Sequence, residues 1–100
     1  MSKHYQYQLK LTALTDKEGQ QMAYEPLMFQ FENHDNIFDI IESIKSKGLF
    51  EKESEAIEMA IGLKLFSEVM LKNKNHDLFE EFQPQFMQFM KKLKSSVKSE

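Results

Sequence analysis

Two short runs carry the residue types that bind metals or move protons, Asn33-His34-Asp35 and Asn75-His76-Asp77. Imidazole and carboxylate together suit zinc or manganese, so two such pairs meeting in space would make a metal or acid–base centre. The spacing argues against it. A histidine followed directly by its aspartate is poor chelating geometry, and no His-x-x-x-His pattern adds a third ligand. Each run stands just before an apolar helical pattern, where Asn and Asp side chains satisfy the first amides of a helix. Both runs are therefore expected to be helix starts, with an Asn or Asp oxygen accepting amide hydrogen bonds, and no metal is expected. The recurrence is not a structural repeat, because the segments between the two runs do not match.

Three further sets invite the same test. Glu51, Glu53, Glu55 and Glu58 could act as an acid–base or calcium cluster. No Asp-x-Asp-x-Asp-Gly loop accompanies them, and carboxylates in a first helical turn suit the helix dipole. Lys91, Lys92, Lys94 and Lys98 follow a Phe/Met-rich stripe, a combination found in helices that lie on membranes. Last-turn lysines are favoured electrostatically in any helix, and a stripe at helical spacing is ordinarily core. The same stripe, Phe79, Phe82, Phe86 and Phe89 with Met87 and Met90, could form an adaptable partner-binding groove, though core burial is the expectation. His4 and Ser67-Glu68 have no companions in a nucleophile–base–orienter arrangement. The three glycines stand at 19, 48 and 62, so there is no phosphate-binding loop. No catalytic, cofactor-binding or metal-ligating residue is assigned, and the balance leans away from an enzyme.

The elements that would position these residues are plainer. From His4 to Leu14 the chain alternates, with Tyr5, Tyr7, Leu9, Leu11 and Ala13 on one side, which is the period of a half-buried strand. The polar run 15–20, with Gly19, suits a reversal. A second strand follows Pro26, with Leu27, Phe29 and Phe31 facing in. Ile37, Ile40, Ile41 and Ile44 mark a first helix, capped by Asn33 or Asp35 and ended by Gly48 at the left-handed position, with Leu49 placed to complete a Schellman ending on Ile44. A second helix spans about Ser54 to Asn73, with a main stripe of Ala56, Met59, Ala60, Leu63, Phe66 and Met70. Its second apolar row, Ile57, Ile61, Leu65 and Val69, needs cover of its own. Gly62, in the middle of that helix, is expected where another backbone or ring approaches too closely for a methyl group. A third helix starts near Asp77, and Pro84 should kink or split it.

Composition bounds the rest. One hundred residues, 41% apolar and 29% charged, fit one globular domain over 1–100, with 1–3 and 94–100 frayed. There is no cysteine, no secretory h-region near the start and no apolar run of membrane-spanning length, so a reducing cytoplasm is expected. The net charge is -3, and all thirteen basic residues are lysine. Lysine lacks the planar fork with which arginine grips phosphate and guanine, so nucleic acid is not expected as a partner. Nor is a membrane, because the Phe/Met stripe reads as core and its lysines as last-turn cations.

Phe29-Gln30-Phe31-Glu32-Asn33-His34-Asp35, Lys47-Gly48-Leu49-Phe50 and Gly62 through Leu71 together resemble a family of short bacterial proteins catalogued as domain of unknown function 3861. Asn75-His76-Asp77-Leu78-Phe79 and Phe89-Met90-Lys91-Lys92-Leu93 fit as well, so the similarity covers nearly the whole chain. The resemblance implies a bacterial source and brings no activity with it.

The expected fold is α+β, an N-terminal antiparallel hairpin packed on a bundle of three helices. A lone hairpin leaves two open edges, and these, with the second row of helix two, point to a homodimer. The leading functional expectation is a non-enzymatic protein-interaction or regulatory module, with a further unidentified protein as possible partner. The alternative is a small-molecule-binding protein or minor enzyme with a pocket between hairpin and helices, using Tyr5, Tyr7 or His34.

Overall fold

The computed structural model describes residues 3–97, which fall into two compact units that part between Asp35 and Asn36. The first is a hairpin. Strand β1 (Tyr5–Leu11) pairs antiparallel with β2 (Leu27–Asn33), in a register running from Tyr5 opposite Asn33 to Leu11 opposite Leu27. Tyr7 thereby faces Phe31, and Leu9 faces Phe29, so both apolar sets share one side of the sheet. The first strand stops at Leu11, short of the expected end. Continued by one step, the register would set Thr12 against Pro26, which has no N–H to donate.

Beyond that point the chain reverses around Asp16. Its Oδ1 accepts from the amides of Glu18 and Gln20, each at 2.9 Å, and its own amide donates to the Gln20 carbonyl at 2.8 Å. Gly19 takes φ +83°, a region closed to most side chains. Thr15 pairs with Gln21 across this reversal.

The second unit is helical, with α1 (Ile37–Ser46), α2 (Glu53–Lys72), α3 (Asp77–Glu80) and α4 (Phe82–Val97). The class is α+β, and among the described residues the helices number four. The third helix expected from the sequence is split, as one alternative had it, with the break at Glu81 just before Pro84. Proline is the third residue of α4, inside the first turn, where amides have no intrahelical partner and its missing N–H costs nothing. The tail expected to fray is helical over 94–97, while residues 1, 2 and 98–100 lie outside the described stretch.

Helix α1 begins at Asn36, whose Oδ1 accepts from the Phe38 amide at 3.1 Å. The expected caps, Asn33 and Asp35, stand too far upstream. The ending follows expectation: Gly48, at φ +63°, donates to the Lys45 carbonyl at 3.0 Å, and Leu49 donates to the Ile44 carbonyl at 3.5 Å. Those are the two bonds of a Schellman motif. Helix α1 lies against α2, with Ile37, Ile41 and Ile44 buried on the one, and Ala56 and Ala60 on the other. Lys45 reaches Glu42 at 3.7 Å and Glu53 at 3.8 Å; both carboxylates are exposed, so these pairs contribute little. Farther along, Met70, Phe79 and Phe86 form a core cluster, with Leu63 and Met90 packed on it.

Gly62 departs from expectation. A Cβ built there meets nothing within 4 Å, so no crossing within the chain explains the glycine. Within this chain Gly62 lies on an open stretch of helix.

Candidate interaction surface

The first Asn-His-Asp run builds a corner, not a helix start. Asn33 closes β2 with 3% of its surface exposed, and its Oδ1 accepts from the Asp35 amide at 3.0 Å. The Tyr7 hydroxyl, reaching over from β1, donates to the Asp35 carbonyl at 2.8 Å. His4 Nδ1 lies 3.2 Å from Glu32 Oε1, His34 Nε2 lies 4.0 Å from Asp35 Oδ1, and the two imidazole rings sit edge to face, 6.0 Å apart. Sequence reasoning missed His4 and Glu32 as neighbours of His34. The pairing of Gln6 with Glu32 is what could have found them, once the hairpin register is known.

The second run does start a helix, by a different acceptor. His76 is the N-cap residue of α3, and its Nδ1 accepts from the Leu78 amide at 3.0 Å, where an Asn or Asp oxygen was expected. A neutral imidazole with its proton on Nε2 can do this, since Nδ1 then carries a lone pair. The ring also meets Phe79 edge-on at 6.1 Å. Among the described residues, no group of three or more His, Asp or Glu is arranged to hold a metal ion. Glu51, Glu53, Glu55 and Glu58 are all exposed, and the middle two lie in the first turn of α2, where they suit the dipole.

What remains is apolar surface. On the hairpin, Tyr5 stacks on Tyr7 at 6.3 Å and Tyr7 on Phe31 at 5.3 Å, with Phe29 tilted against Phe31 at 6.0 Å. That row of rings ends in exposed side chains: Leu27 keeps 58% of its surface in solvent and Leu11 keeps 69%. On the helical unit, Phe66 is the hub, meeting Phe79, Phe82 and Phe86 edge-on at 5.8–6.0 Å. The Phe/Met stripe is divided. Phe79 and Phe86 are buried and Met90 is half-buried, while Phe82, Met87 and Phe89 are exposed. The second row of α2 is likewise open at its ends, Ile57 and Val69, and half-buried at Ile61 and Leu65. No helix among the described residues is long and apolar enough to cross a membrane.

Comparison with known proteins agrees with this architecture. A crystal structure of a protein of unknown function from Pectobacterium atrosepticum matches with a TM-score of 0.78 at 30% identity, over 92% of this chain and 98% of that one. No curated protein matches. The model of a domain of unknown function with a solved structure, DUF3861, matches residues 5–95, and the chain belongs to that family.

Proposed function

We propose that this chain is a non-enzymatic protein-interaction or regulatory module that acts as a homodimer. The observation that carries this is the exposed apolar surface: Leu11 and Leu27 on the hairpin, and Ile57, Val69, Phe82, Met87 and Phe89 on the helical unit. Scattered exposed leucines are ordinary, but rows of them on rigid elements mark surfaces that other protein covers. A small ligand held by Tyr5, Tyr7 or His34 has less support, because the Tyr7 hydroxyl is already donated within the corner that it closes. Nucleic acid is left out of the proposal, since the net charge is -3 and every basic residue is a lysine.

The bacterial setting is supported by the source of the similar structure. A cytoplasmic location rests on composition and is checked by cell fractionation. Sedimentation at micromolar concentration tests the dimer. A mass of about twice 11.9 kDa is expected, and a clean monomer would overturn the proposal.

A further inference from the structure

We infer that the dimer forms by edge-to-edge pairing of β1 with β1 of a second copy, antiparallel about a two-fold axis at Gln8. This rests on the homodimer proposed above and names the surface that makes it. Among the described residues the sheet has two strands, so β1 has a strand along one edge only. A two-stranded sheet is marginal in water unless further strands or a packed helix support it, and a third strand is one such support. Proteins blunt edges with short strands, charged side chains, lysine above all, proline, bulges and inward charges. Both strands pair over the same seven residues and contain no proline or glycine, but β2 begins directly after Pro26, while on β1 the charge is the single Lys10.

The sequence of β1 is complementary to itself. Side chains alternate with a period of two, so an axis through one residue keeps the apolar sets of both copies on one face. An axis at Gln8 overlaps the full strand. It sets Tyr7 against Leu9, Tyr5 against Leu11 and Gln6 against Lys10, with apolar facing apolar and no like charges opposed. Gln8 then faces its own copy. A glutamine amide both donates and accepts, so it can pair with an identical group. The exposed Leu11 of each copy would lie beside Tyr5 of the other, extending the row of rings across four strands. Two-fold pairing of this kind closes on itself and leaves no growing filament.

The chain has no cysteine, so single thiols can be placed cleanly. Directly opposed residues on antiparallel strands lie within disulfide reach. Gln8→Cys, mildly oxidised, is expected to run as a covalent dimer in high yield. Gln30→Cys, on β2 opposite Gln8 within the hairpin, is expected to stay monomeric on the same non-reducing gel. Far-UV circular dichroism and melting curves of both reduced variants should match the parent, showing that the fold is intact. Cross-linking at 30 rather than 8 would move the interface to β2 and overturn the inference. Failure of both variants to cross-link, with a dimeric mass by sedimentation, would overturn it while the homodimer stands. A monomeric parent would overturn both.

Discussion

The two units hold themselves together by different means. Among the described residues, every buried apolar side chain lies in the helical unit, from Ile37 to Phe86, and the one buried residue of the hairpin unit is polar, Asn33. The helical unit follows the common rule, in which stability grows with the apolar area removed from water. The hairpin depends on its ladder, on half-buried rings and on a hydrogen-bonded corner made by Asn33, Asp35 and Tyr7. An amphipathic sequence pattern therefore says which side of an element is apolar. It does not say how deeply that side is buried.

This contrast can be broken most directly by truncating one ring in each unit. Phe86→Ala should cost about 3–5 kcal/mol in thermal or urea unfolding, because it removes a buried ring and leaves a cavity. Phe29→Ala, at a position 41% exposed, should cost clearly less. Equal losses would mean that the hairpin face is as fully covered as the helical core. Next in size, Tyr7→Phe keeps the stacked ring and deletes the hydroxyl that holds the corner. A loss of about 0.5–1.5 kcal/mol is expected, and an unchanged melting temperature would remove the corner from the hairpin's support.

Two smaller effects sharpen the picture within the helical unit. Gly62→Ala should raise stability by about 0.5–1 kcal/mol, since the added methyl has open space and alanine orders the helix at lower entropic cost. A lower melting point would restore the close crossing that the structure does not show. His76→Ala should cost about 0.5 kcal/mol through the lost cap, while His76→Asn, which restores a capping oxygen, should keep most of it. If both variants melt alike, the imidazole contributes nothing as a cap.

Much of the fold was legible because local chemistry and tertiary structure agree. Alternation assigned Tyr7, Leu9, Phe29 and Phe31 to the apolar sides of their strands, and the Lys47-Gly48-Leu49 ending follows from the conformational freedom of glycine. The failures have a common cause. Asn33, Asp35 and Asn36 are all competent caps, and only the position of the first helical residue selects among them. The imidazole of His76 competes for the same role, although Asn75 and Asp77 flank it. Gly62 was given a tertiary reason when its neighbours leave it exposed. The His4–Glu32–His34 neighbourhood depends on strand register, which no single segment encodes.

The placement of the tyrosines makes the molecule its own instrument. There is no tryptophan, and Tyr5, Tyr7 and Tyr24 all lie before Asp35, while the aromatic residues of the helical unit are phenylalanine and histidine. Ultraviolet fluorescence excited at the phenol band therefore reports the hairpin unit without labels. Helical ellipticity near 222 nm reports chiefly the other unit. A single heating experiment read at both signals becomes a test of cooperativity: coincident transitions would mean that the units melt as one body. An earlier tyrosine transition would mean that the sheet comes apart while α2 still holds its turns.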